Sequence, residues 1–232
     1  LQLVNGLDPQ GFRSEDWIKN GRQGAFEVNN FTSPAFVARV NYHGVKGLRV
    51  GASFYYNQTA KNGTKPWRNT GYKFPVTIVT GDLQYKGFNN NLIVRGNAVY
   101  GNLGASGALT TINNSSSAAS GYPNTTVAQN AVSYGGEAGY NIGSFFHSKA
   151  PRIYPFIRYE YYNPMEKTEA NTGLLADKRF QVSAVTAGLN YYALPNLVIK
   201  ADYTHRSIGG GKYNDENLVS VGIAYIGWFI KK

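Results

Sequence analysis

The sequence predicts an all-β fold, a transmembrane antiparallel up-and-down β-barrel, and three observations predict it. Apolar and polar residues alternate with period two in segment after segment, while few stretches offer a helical stripe. The alternating runs span roughly nine to twelve residues, longer than the five to six usual in soluble sheets and matched to tilted strands that cross a bilayer. The connections between the runs alternate between short and long.

The chain opens on Leu1-Gln2-Leu3-Val4-Asn5-Gly6, which reads as a short alternating strand and not as a charged-then-apolar leader. This opening marks the chain as mature or incomplete at that end. A long polar connection follows over 7–34, where Ser14 is placed to cap a short helix over Ser14-Glu15-Asp16-Trp17-Ile18. Over 35–43, Phe36, Ala38, Val40 and Tyr42 share one face, opposite Val37, Arg39, Asn41 and His43. The run from Leu48 is cleaner, with Val50, Ala52, Phe54 and Tyr56 opposing Arg49, Gly51, Ser53, Tyr55 and Asn57. In the run over 76–87, Val79, Gly81, Leu83 and Tyr85 oppose Thr80, Asp82, Gln84 and Lys86. Over 92–101, Leu92, Val94, Gly96, Ala98 and Tyr100 oppose Arg95, Asn97 and Gly101. Segments 132–142, 152–162, 182–192, 197–206 and 218–229 continue the pattern, giving about ten strands in all.

Short connections fall at 44–47, 88–90 and 194–196, with a longer one at 144–151; long polar ones fall at 7–34, 58–74, 102–130, 163–179 and 207–216. Short turns at one rim and long loops at the other are how bacterial outer-membrane barrels are built, with turns periplasmic and loops extracellular. The low-charge, turn-rich stretch 105–121 either folds inward as a constriction or stays outside, and both options stand. A soluble sandwich also has many strands, but its apolar face would fill a core. Here that face carries small residues as often as large ones (Gly81, Gly96, Ala98, Gly136, Ala138), and the opposite face is rich in charge. Tyr56, Tyr85, Tyr100, Tyr161, Tyr191, Tyr203, Tyr225 and Phe229 stand near strand ends, where interfacial aromatic girdles are expected.

Composition agrees. The 232 residues fit a single barrel domain over 1–232, and 42% hydrophobic content excludes a disordered chain. The absence of cysteine excludes a disulfide scaffold, a thiolate nucleophile and thiolate-ligated metals. No run approaches the roughly 18 apolar residues of a spanning helix.

The closing run Asn217-Leu-Val-Ser-Val-Gly-Ile-Ala-Tyr-Ile-Gly-Trp-Phe229 alternates and ends on an aromatic, with Ile230-Lys231-Lys232 beyond it. It resembles the closing strand of outer-membrane barrels, which usually ends at or near a Phe. The stretch from Leu189 to Tyr203 and the opening Val4-Asn-Gly-Leu-Asp-Pro-Gln-Gly-Phe12 are similar to Bacteroidota porins related to the phosphate-selective (O and P type) family. Such porins are usually sixteen-stranded and trimeric. The resemblance implies that these strands are the C-terminal part of a larger barrel, N-terminally incomplete here, or that the barrel is smaller. Eight to ten strands enclose a lumen filled by side chains, whereas sixteen leave a channel.

On the polar face the sequence places Arg39, Arg49, Lys86, Arg95, Arg158, Lys200 and Arg206 against Asp82, Glu137, Glu160 and Asp202. Fixed cations in a confined passage stabilise a desolvating anion, and the formal +10 agrees. The same side chains can instead fill the interior as cross-strand ion pairs. Lys61, Lys65, Arg68 and Lys73 in a long loop are candidates for lipopolysaccharide phosphates or are simply solvated. The dispersed charge lacks the cluster or motif that nucleic-acid binding requires. His43, His147 and His205 have neither ligand-like spacing nor a triad, so no catalytic, cofactor or metal residue is assigned. Asp8, Glu15 and Asp16 read as a solvated loop, and the sequons at Asn30, Asn57, Asn62 and Asn124 as polar loops. The expectation is an outer-membrane porin passing small, preferentially anionic solutes, with lipid, lipopolysaccharide and a homotrimer as partners. The alternative is a plugged structural or interaction barrel in a larger outer-membrane assembly.

Overall fold

The computed structural model describes residues 1–22, 33–59, 72–117, 126–146 and 151–225. Ten strands form one sheet in chain order: β1 (Gln2–Val4), β2 (Ala35–Tyr42), β3 (Leu48–Gln58), β4 (Pro75–Gly87), β5 (Leu92–Leu103), β6 (Asn130–Tyr140), β7 (Arg152–Lys167), β8 (Val182–Leu194), β9 (Leu197–Ile208) and β10 (Asp215–Tyr225). Each strand runs antiparallel to the next, an up-and-down order that hairpin connections enforce. Its edges are β1 and β10, and among the described residues no pairing joins them. No helix of the described residues is long and apolar enough to cross a membrane.

The turns are local chemistry. Gly47 turns with φ +80, and its Cα sits so close to Lys86 that a Cβ would lie 2.2 Å from the Lys86 carbonyl oxygen. The β4–β5 turn runs through Phe88, Asn89 and Asn90, all at positive φ. Asparagine tolerates that region because its short amide bonds locally. Lys61, Lys65, Arg68, His147 and Phe229, with the sequons at Asn30, Asn62 and Asn124, lie outside the described residues. Lys73 is exposed. Asn57 is buried, its amide donating to the carbonyls of Ser33 (2.8 Å) and Pro34 (3.0 Å), so its sequon is not a surface acceptor.

One local expectation is corrected and one open choice is decided. Residues 14–18 form a tight turn closed by an Arg13–Trp17 bridge, not a helix. Trp17 takes φ +50, which ends any helical path, and Ser14 Oγ donates to the Thr126 carbonyl (2.8 Å) instead of capping. Of the two options for 105–121, the described part takes the inward one: it contains α1 (Ser106–Ser117), which folds onto the sheet. Its Gly, Ser, Thr and Asn content has poor helix propensity, so burial of Leu109 and Ile112 sustains it more than propensity does.

Those contacts belong to the core, which sits at one end of the sheet. Phe12 and Trp17 from the first long connection, Leu109 from α1, and Val127 and Ala128 before β6 close over Val76, Leu103 and Met165. Tyr55, Ile78 and Ala131 border it, and they stand on the same face as the charged residues. The long connections therefore fold back onto the polar face. Trp17 is clamped by its indole N–H to the Ala128 carbonyl (3.0 Å) and lies on Gly101, where a Cβ would meet the ring at 2.1 Å.

Candidate functional site

The two faces of the sheet differ completely. On the apolar face Tyr42, Tyr85, Tyr140, Tyr191 and Tyr225 stand near the short-turn end, and Tyr56, Tyr100, Tyr134 and Tyr161 near the long-connection end, while Tyr203 is mid-strand, in register with Ala187 and Ile157. Between these rows the described strands carry no charged side chain. The residues are Ala38, Val40, Val50, Ala52, Phe54, Val79, Leu83, Val94, Ala138, Ile157, Leu189, Ile199, Val219, Val221 and Ile223, with small Gly81, Gly96, Ala98 and Gly136 among them. Many lie open: Val79 is 50% exposed, Ile157 58% and Val221 75%. Soluble monomers rarely leave apolar patches beyond a few hundred Å² uncovered.

The polar face carries all eleven charged residues singled out from the sequence, because period-two alternation keeps one parity on one side. Register aligns them across strands. Arg49, Gln84, Arg95, Glu137, Arg158, Thr186 and Thr204 are successive cross-strand partners. A neighbouring row runs Gly51, Asp82, Asn97, Gly135, Glu160, Ala184, Arg206 and Glu216.

Within these rows each central carboxylate is shared by two guanidiniums. Asp82 lies 2.8 Å from Arg39 and 3.6 Å from Arg49. Arg39 reaches it across β3 because Gly51 has no side chain; a Cβ there would be 2.2 Å from the Arg39 guanidinium. Glu137 accepts from Arg158 Nε at 2.9 Å and has Arg95 at 3.7 Å, while Arg158 also stands 4.0 Å from Glu160. Arg206 pairs with Glu216 and donates to the Tyr162 hydroxyl. Cross-strand pairing is thus observed, and it leaves cation in excess. Two Arg per carboxylate carry a net positive charge, and half-exposed pairs of this kind hold together weakly, by about 0–1 kcal/mol. Lys86, Lys200 and Asp202 have no oppositely charged group within 4.0 Å among the described residues.

A cavity of about 570 Å³ opens on this face over β5–β9, and Arg95, Glu137, Arg158, Glu160, Lys200, Asp202 and Arg206 all line it. Arg49, Asp82, Arg95 and Glu137 line an adjoining hollow of about 470 Å³, and Lys86 stands with Arg152 in a third near the short turns. Sequence reading misses Arg152, Tyr154, Phe156, Tyr162 and Tyr192. They share the parity of Arg158 on β7 or of Thr186 on β8 and lie within the runs 152–162 and 182–192, so parity alone places them on this face, where the aromatics break the polar pattern. Away from the strands, Arg179 hydrogen-bonds Asp177 and holds its carboxyl below the usual range. Among the described residues no group of three or more His, Cys, Asp or Glu stands together as a metal site. Asp8 is engaged by the Gln10 amide and Asp16 by the Asn20 amide.

Searched against known proteins, the chain matches no family model and pairs with no curated protein.

Proposed function

We propose that the chain forms the wall of a bacterial outer-membrane β-barrel porin, passing small, preferentially anionic solutes by diffusion without catalysing a reaction. One observation carries the reading: the apolar face is bare and uncharged between two tyrosine rows, while the polar face holds Asp82 and Glu137, each bracketed by two arginines. A lipid-facing exterior and a wet lumen require that division. On β6 the rows stand six residues apart, from Tyr134 to Tyr140, about 20 Å at 3.3 Å per residue, against an outer apolar band of about 25 Å. Closure joins the open edges at β1–β2 and at β10 through further strands, and three such barrels make the trimer. Short turns then face the periplasm, and the long connections meet lipopolysaccharide. The resemblance to Bacteroidota porins agrees.

Single-channel conductance in a planar bilayer, with reversal potential taken across a KCl gradient, tests the reading. Open channels with an anion-selective reversal potential are expected; a verified folded protein without conductance overturns it.

The plugged-barrel reading has its own support in the connections and α1 that fold onto the polar face. Trp17 is the keystone of that apolar cluster, and Trp17→Ala is expected to loosen it by about 3–5 kcal/mol and to raise conductance. A conductance unchanged by Trp17→Ala would show that the cluster does not narrow the passage.

A further inference from the structure

The cavity over β5–β9 is not lined by charge alone. Phe156, Tyr154 and Tyr192 form an aromatic strip on the polar face of β7 and β8, beside the ion-pair row. Phe156 is paired across the strands with Gly188 and lies over it: a Cβ at residue 188 would meet two ring carbons at 2.6 Å. The glycine lets the ring settle against the sheet with a half-buried face turned to the cavity. Tyr154 is fixed by donating its hydroxyl hydrogen to the Asn90 carbonyl (2.9 Å) and by an edge contact with Tyr192, ring centroids 5.8 Å apart. Tyr192 in turn carries the Arg152 guanidinium at 4.6 Å. These rings are held before any ligand arrives.

A small inorganic anion has no use for such a strip. An ion is recognised by charge and N–H donors, whereas a flat apolar ring edged by bidentate donors and acceptors fits a molecule with an apolar face and a polar rim. A pyranose ring has that shape: its C–H groups cover an aromatic face while paired hydroxyls reach carboxylate and guanidinium. Arg158 stands 5.8 Å from the Phe156 ring, and Glu160 and Asn190 line the same cavity. Lys200, with no carboxylate within 4.0 Å among the described residues, adds a cation that a sugar acid would satisfy. We infer that this cavity is a saccharide subsite, selective for acidic oligosaccharides, with Phe156 as stacking platform and Lys200 as carboxylate partner. The subsite rests on the porin reading for its role in passage, but binding is measurable without it.

The test is calorimetric titration of the full chain, folded in detergent micelles, with trigalacturonate and with neutral maltotriose. Trigalacturonate is expected to bind at least tenfold more tightly than maltotriose. Phe156→Ala and Lys200→Gln should each weaken it about tenfold, and Phe156→Tyr, which keeps the ring, should restore it. No binding of trigalacturonate, binding equal in Phe156→Ala, or maltotriose bound as tightly overturns the inference. Conductance measured in parallel reports on the porin reading alone: a conducting channel that ignores trigalacturonate ends the subsite and leaves the porin, whereas ring-dependent binding without conductance does the reverse.

Discussion

Arg158→Glu is expected to reverse the ion preference of the proposed channel, seen as a change of sign in the reversal potential across a KCl gradient. Arg158 is the centre of the charged row, touching Glu137 and standing near Glu160. Replacing it turns an Arg–Glu–Arg cluster of net positive charge into one of net negative charge, a change of two units. One charge about 10 Å from a passing ion, at an effective dielectric constant near 20, is worth about 1.7 kcal/mol, somewhat over tenfold in relative permeability. Salt screens part of this over about 10 Å at 0.1 M, so the effect should grow as the bath is diluted. Glu137→Gln moves the charge the other way and should strengthen anion preference. The opposed signs separate an electrostatic role from general damage to the barrel, since damage would shift both variants alike. A reversal potential indifferent to both would mean that ions do not travel along this face.

The same row shows how far the sequence can be read. Alternation places the eleven charged residues on one face because side-chain direction in a strand depends on parity alone, and antiparallel order follows from hairpin connection lengths. Parity cannot reveal register. That Arg39 spans Gly51 to reach Asp82 depends on which residues face each other, and the pairing emerges only when turns and bulges are fixed. The connections are the least legible part. Nothing periodic marks the fold-back of Trp17 onto Gly101 or the formation of α1 from Ser, Asn and Thr; both are dictated by contacts between residues about a hundred positions apart, such as Trp17 with Ala128. Phe156 escapes a sequence reading for a different reason. An aromatic on the polar face breaks the binary pattern, and such a break points towards a site where the rule gives way to recognition.

Ile157→Arg is expected to destabilise the protein by roughly 2–4 kcal/mol in a lipid bilayer, the cost of a charge near the midplane on the outside of a barrel. Ile157 stands midway between the tyrosine rows, four residues from Tyr161 and four from Ile153, the partner of Tyr191, or about 13 Å from each. It is 58% exposed. In a soluble protein, substituting so open a residue would change stability by no more than about 0.5 kcal/mol, because the arginine would simply extend into water. Lipid offers no such refuge, and the side chain must either lose its hydration or draw water and headgroups inward. Asn97→Arg provides the contrast: Asn97 is exposed on the polar face, between Asp82 and Gly135, and a charge there is expected to cost little. Urea unfolding of both variants from phosphatidylcholine vesicles measures the difference directly. A large penalty at residue 157 and a small one at residue 97 means the apolar face looks into lipid. Equal small penalties would mean that water reaches both faces and that the apolar face does not look into lipid.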